Sequence, residues 1–416
     1  MLDRTRDAAP LAAARPSRSA ARMTPLERRA TTALAGIYSL RMLGMFIVLP
    51  VLALYAEALP GGRDHTLIGL ALGAYGLTQA VLQIPFGWSS DRWGRKPVII
   101  GGLLIFSLGS FIAAWAPTIG WVIAGRTIQG AGAISAAVIA LTADLTRDEV
   151  RTRAMAAIGM TIGATFAISL IAGPALTNVI GVPGVFVMTG VLALAAMLVV
   201  RVFVPAPSAL GGAAPTLERG QWLRVLGDRQ LLRLNYGIFA LHAGLMALFV
   251  QVPFMLRDGG IAPERHWLVY LPVLVASVLL MLPALMRADA PGRAKITFVG
   301  AIAVVFTGQL LLALPHHGIA ITITALVVFF TGFNLLEATL PSLISKIAPA
   351  GVKGTAVGVY SSVQFLGTFV GAACGGWLSQ RHGPNAVFGF GLILTALWFV
   401  MALGMSAPPA IDRVGA

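Results

Sequence analysis

Twelve stretches of this 416-residue chain are apolar over lengths that cross a bilayer, and that leaves few folds open. A helix needs about 20 apolar residues to span the hydrocarbon core, and within lipid every backbone N–H and C=O must be satisfied inside the segment. The runs lie near 31–56, 66–90, 97–115, 119–143, 154–178, 182–204, 231–256, 266–286, 295–314, 318–341, 354–379 and 383–406. The expected fold class is an all-α polytopic membrane protein with twelve transmembrane helices. Charged residues make up only 11% of the chain, against about 25% in a soluble domain, so most of the surface has to face lipid.

Most connections are very short, so consecutive helices should be antiparallel neighbours. The exception is 205–230, rich in Pro, Gly and Ala and then charged from Glu218 to Arg229. It reads as a linker between a six-helix bundle at 31–204 and a second at 231–406. Residues 1–30 read as a disordered basic tail and 407–416 as a short tail. The start lacks the apolar core of a signal peptide, and Met23 would make a sensible alternative beginning for the chain.

The formal charge of +14 invites a nucleic-acid reading. Placement argues against it, because the basic residues fall between apolar runs rather than on a patch interleaved with polar contacts. With the N-terminus placed in the cytoplasm, 24 Lys and Arg sort to that side and four (Arg63, Arg257, Arg265, Arg381) to the other. The positive-inside rule therefore puts both termini and the linker in the cytoplasm. The one cysteine, Cys374, lies in an apolar run, so no intrachain disulfide or cysteine-based metal site can form. There is no His-Glu-x-x-His and no Gly-rich phosphate loop ending in Lys, so neither an enzyme nor a primary pump is indicated, and no cofactor is called for.

The loop between the second and third runs carries Gly87-Trp-Ser-Ser-Asp91-Arg92-Trp-Gly94-Arg95-Lys96. Charge beside a bilayer is costly unless paired or wetted, so this cluster reads as fixed machinery on one membrane face. Asp289-Ala-Pro-Gly292-Arg293 repeats its Asp-x-x-Gly-Arg spacing about 200 residues later. Arg153-Ala-Met-Ala156 and Lys353-Gly-Thr-Ala356 precede the fifth and eleventh runs in the same way. Repeats separated by an even number of spans share one orientation. The halves are thus parallel repeats about an axis normal to the membrane, and a substrate site is expected at mid-depth between them.

Glu337, in the tenth run, is the one carboxyl well inside an apolar stretch, and His242, in the seventh, is the one histidine so placed. Each lies about nine residues, roughly 13 Å, from the cytoplasmic end of its helix. They can load and release a proton as access alternates, or merely make structural hydrogen bonds. Arg41 and Arg126 are permanent charges within the first and fourth runs. A central Arg costs about 2.5–3.5 kcal/mol to insert, so each needs a polar or wet surrounding, in the transport path or in a structural contact. Gln79, Gln83, Gln129, Asn334 and Gln364 could line the same cavity or pack helices. Gly173-Pro174 in the fifth run is a hinge candidate, because proline removes a backbone donor.

Gly87-x-x-x-Asp91-Arg92-x-Gly94-Arg95-Lys96 resembles the loop signature between helices 2 and 3 of the major facilitator superfamily. Arg126-x-x-Gln129-Gly130-x-Gly132 resembles that family's helix-4 motif. Ser169-x-x-x-Gly173-Pro174 resembles, in degenerate form, the helix-5 motif of its drug–proton antiporters. The runs Ser39–Pro50 and Gly332–Ser345 look most like the YajR-type branch, some of whose members carry a soluble C-terminal domain. This chain ends about ten residues past the twelfth run, so that domain is not carried over. The resemblance implies a cytoplasmic gate in which Asp91 meets the start of helix 11 and Arg95 pairs with Asp144, with a weaker copy at Asp289 and Arg293.

The expected function is a secondary transporter of the cell's inner membrane that exports small, partly hydrophobic compounds in exchange for protons. Its partners would be a small-molecule substrate, protons and membrane lipid, with no nucleic acid and no cofactor or metal, and the carrier would be a monomer. A proton-coupled or facilitated importer of a polar metabolite, or a non-transporting membrane sensor, are the rival readings.

Overall fold

A computed structural model describes residues 22–205, 221–288, 293–314, 318–349 and 353–405. Residues 1–21, most of the linker, Asp289, the His316-His317 pair and the C-terminal tail lie outside the described residues. Within them the chain is helical, with no strand.

The helices are α1 (Pro25–Phe46), α2 (Leu49–Glu57), α3 (His65–Trp93), α4 (Arg95–Ala114), α5 (Ile119–Ala131), α6 (Ser135–Asp144) and α7 (Asp148–Val202). They continue as α8 (Gln221–Gly227), α9 (Arg229–Asp258), α10 (Trp267–Ala288), α11 (Ala294–Ala313), α12 (Ile319–Ile347), α13 (Lys353–His382) and α14 (Pro384–Leu403). Eleven helical stretches are long and apolar enough to span a membrane. The longest, α7, has non-helical dihedrals at Gly181, with φ +68°. That left-handed conformation suits glycine alone among common residues, and it divides α7 into two spans, bringing the number to twelve.

Two other spans are broken. Ile47 and Val48 separate α1 from α2, with Pro50 in the first turn of α2, and Gly132–Ile134 separates α5 from α6. Such breaks are tolerable in a membrane only where the freed backbone groups find partners in protein. By contrast, dihedrals stay helical through Gly173-Pro174, the site expected to loosen. Gly173 instead gives close packing: a Cβ there would press on the Ile47 carbonyl and sit 3.1 Å from Pro50.

Hydrogen bonds between ends far apart in sequence sort the helix termini onto two faces. One face carries Glu27 with Arg147, Arg29 with the Val202 carbonyl, Arg95 with Asp144, Lys96 with the Val204 carbonyl, and Arg233 and Lys295 with the Gly404 and Leu403 carbonyls. The opposite, distal face carries the Ile119 amide on the Pro60 carbonyl, His65 on Ser379 and Gln380, Glu57 with Arg257, and Asn178 on the Glu264 carbonyl. On the first face each of these bonds stays within 22–205 or within 229–405. On the distal face all but the first join the two segments. The structure is therefore clasped at its distal face.

Small residues let the clasp close. On α3, Gly69, Gly73 and Gly76 meet Ala372, Phe369 and Thr368 of α13 at backbone distance, and a Cβ at Gly69 would lie 2.9 Å from the Gly376 Cα. The other side of α13 uses Gly367, Gly371 and Gly375 against Phe239, Ala243 and Ala247 of α9. Without a strong hydrophobic drive in lipid, such close backbone packing carries much of helix association. Phe166 of α7 packs against Phe330 and Phe333 of α12, at ring-centroid distances of 6.1 and 5.6 Å, joining the same two segments in the interior.

Candidate functional site

The charged loop of the first face is built on Gly94. It ends α3 and caps α4 in a single residue with φ +92°, which a side chain would strain. The turn swings Arg95 back over the end of α3. Its guanidinium bonds Asp91, the Ser90 hydroxyl at 2.7 Å and Asp144, at the end of α6, at 3.1 Å. Arg95 is nearly buried, whereas the Asp91 side chain is 41% exposed. Arg92 lies over the Trp88 ring at 5.7 Å, Lys96 bonds the Val204 carbonyl, and Gly87 approaches Ala136. The sequence thus brings Asp91, Arg95 and Asp144 together. Among the described residues Asp91 makes no hydrogen bond or ion pair with α13, as fits a structure clasped at the other face. Arg293 is exposed at the start of α11, and its expected partner Asp289 lies outside the described residues.

The two buried arginines exploit the broken spans reciprocally. Arg41 of α1 donates to the Gly132 carbonyl in the α5–α6 break at 3.3 Å and to the Ser135 hydroxyl at 2.6 Å. It also bonds Gln79, which donates in turn to Gln83 at 2.8 Å. Arg126 of α5 donates to the Gly44 carbonyl in the last turn of α1 at 3.3 Å and to Gln129 at 2.5 Å, and Gln129 bonds Ser110 at 2.8 Å. Helix C-termini leave carbonyls unpaired and carry partial negative charge, so each break supplies acceptors for the other helix's cation. Tyr75 of α3 stands between them, its ring centroid 5.9 Å from the Arg41 guanidinium and 4.8 Å from that of Arg126. Nothing in the sequence singled out Tyr75, since an aromatic inside an apolar run carries no signal of its own.

Across the interior, His242 and Glu337 meet, as their positions on α9 and α12 allowed. The Nε2 of His242 lies 3.5 Å from Glu337 Oε1 and 2.8 Å from the Gln364 amide nitrogen of α13. Its Nδ1 lies 3.3 Å from the Ile238 carbonyl oxygen. A neutral imidazole satisfies both contacts, donating from Nδ1 and accepting the Gln364 amide at Nε2. A second proton would make Nε2 a donor, which the Gln364 amide repels and Glu337 attracts. Glu337 Oε1 is buried without a hydrogen-bond partner, while the side chain as a whole is 25% exposed. The next residue on α13, Phe365, lies under Arg41 at 6.0 Å, so α13 touches both charged centres. No cluster of metal-ligating residues occurs among the described residues.

Twelve spans enclosing titratable and charged groups define a membrane carrier. Residues 34–372 match the Major Facilitator Superfamily model, and the chain belongs to that superfamily of transporters. It is 44% identical to the inner membrane transport protein YajR of Escherichia coli (strain K12), over 94% of this chain and 87% of that one. It is 27% identical to the multidrug resistance protein MdtH of Aeromonas hydrophila, over 81% and 84% of the two chains. Among solved structures, a bacterial homologue of the human lysosomal transporter Spinster, in an inward-facing and occupied conformation, superimposes with a TM-score of 0.75 at 14% identity, covering 92% of this chain and 97% of that one. A D-xylose–proton symporter superimposes at 0.70 and 15% identity, over 92% and 98%. These structural likenesses concern the fold.

Proposed function

We propose that this transporter exports small, partly hydrophobic compounds across the inner membrane in exchange for protons. In this reading Glu337 carries the proton and His242 receives or relays it. The observation that supports it most is the buried Glu337 oxygen with no hydrogen-bond partner, 3.5 Å from a histidine. A charge on that oxygen lacks the hydrogen bonding that buried charge requires, while the rest of the side chain is part-exposed, so its protonation can change with its surroundings. Gln364 would report the change to α13: a protonated imidazole requires its amide to turn and present the oxygen, or to move away, and α13 forms the distal clasp with α3.

The two bundles, 31–204 and 231–406, would rock about this core. The arrangement described here would open towards the face of the Asp91–Lys96 loop, which the charge bias makes cytoplasmic. In the opposite state Asp91 would reach the free N–H groups at the start of α13, where a carboxylate is favoured by the helix dipole. The relative named for multidrug resistance favours export over uptake. The carrier is proposed to work as a monomer.

The test is Glu337→Gln in proteoliposomes. Gradient-driven transport of a substrate found by thermal-shift screening should be lost, while exchange of that substrate without a gradient persists. Full gradient-driven transport by the variant would refute the role of Glu337.

A further inference from the structure

Two guanidinium groups are sealed in the first half of the molecule with no carboxylate beside either among the described residues. Arg41 and Arg126 are fully buried. Arg41 uses all three of its nitrogens in hydrogen bonds. Arg126 does not: its Nη1 serves Gly44 and Gln129, while Nε and Nη2 are buried with no partner. An unpaired donor on a buried cation carries its full desolvation penalty. The helix-end carbonyls offer partial charges and the Tyr75 ring a π face, and neither neutralises a full positive charge. The Tyr75 hydroxyl is itself buried without a partner, so the ring covers the cations without being anchored there by a hydrogen bond.

We propose that Arg126, supported by Arg41, is the seat for an anionic group on the transported compound, a carboxylate or comparable oxyanion. The forked donors Nε and Nη2 suit two oxygens of one such group. Arg126 lies seven residues, about 10 Å, from the distal end of α5, beneath the clasp. Tyr75 and Gln79 both ride on α3, and the glycines at 69, 73 and 76 of that helix make the clasp. Tyr75 and both arginines lie in the same half, so parting α3 from α13 opens the distal face but leaves them together. The Tyr75 ring, with no hydrogen bond to hold it, has to swing aside to admit the anion. The proposal rests on the transporter reading and narrows its substrate class to amphipathic organic anions rather than lipophilic cations. Export of an anion and entry of a proton both move positive charge inward, so an inside-negative potential would drive both arms.

The test compares three probes on one ring system: 1-naphthoate, 1-naphthamide and 1-naphthylmethylammonium, by thermal shift on the purified protein at millimolar concentration. Naphthoate alone should stabilise the protein. Arg126→Gln should weaken that effect at least tenfold in apparent affinity, and Arg126→Lys less. Should Arg126→Gln fail to fold, Gln129→Glu supplies an internal carboxylate to the same guanidinium and should exclude naphthoate from an intact protein. Stabilisation by the ammonium or amide to the same degree, no effect of naphthoate, or unchanged naphthoate affinity in both the Arg126 and Gln129 variants overturns the proposal. The assay uses no proton gradient. Failure here leaves the proton-coupling reading standing, and failure of that reading leaves this one.

Discussion

Replacing Gly69 by alanine should tip the carrier away from the distally clasped state without unfolding it. A Cβ on Gly69 would press on the Ala372 carbonyl and lie 2.9 Å from the Gly376 Cα. Both obstacles are backbone, so no rotamer can relieve them. Overpacking of this kind costs about 1–3 kcal/mol. The α3–α13 contact joins the two halves at the face that must open, so the cost falls on the clasped state alone. At about 2 kcal/mol the equilibrium shifts roughly thirtyfold. Gly371→Ala is the matched control: its Cβ would meet Ala243 of α9 equally closely, but both helices belong to one half. It should lower the melting temperature and leave the balance of states alone. Spin labels on the Asp64 loop and near Arg381 would report distal separation by pulsed distance measurement. Identical distance distributions for wild type, Gly69→Ala and Gly371→Ala would refute the assignment of this contact as the distal gate.

Arg95→Ala should reduce transport strongly while most protein still inserts, because it strips Asp91, Ser90 and Asp144 of their common donor, and Asp144→Asn should do the same more mildly; unchanged transport in both would count against a gating role. Glu27 is buried, completes a capping box with Thr24 and holds Arg147 through both carboxylate oxygens. Glu27→Ala should therefore cost about 2 kcal/mol, read as a lower melting temperature, with Glu27→Gln intermediate. Single cysteines at Arg63 or Gly260 should label from outside intact cells and one in the 205–230 linker should not; external labelling of the linker would reverse the topology.

Much of this fold was legible because a bilayer imposes so strict a length and polarity rule. The apolar runs, their order and the charged loop followed from that rule, whereas the pairing of Arg95 with Asp144 was implied by the resemblance of the loop motif to the family. The breaks in the first and fourth spans were not legible. Pro50 and Gly132 sit in apolar runs like many other prolines and glycines, and what permits a break there is a buried arginine on the neighbouring helix. The turn between the fifth and sixth spans is made by Gly181, whose positive φ turns the chain in the short gap the apolar runs left there. Glu337 and His242 stood out as the titratable groups inside apolar runs, but their approach at 3.5 Å, with Gln364 beside His242, depends on how the helices pack and rotate, which the runs alone do not fix. Tyr75 was silent for the same reason.

Proton control of the carrier can be measured without knowing its substrate. Distances across the distal face and across the Asp91–Lys96 face should be followed in lipid nanodiscs from mildly acidic to mildly alkaline pH, in wild type and in Glu337→Gln. If Glu337 carries the proton that drives alternation, the wild-type populations will exchange with pH, and the variant will hold one distribution throughout. Equal titration of the two proteins would contradict proton coupling at Glu337.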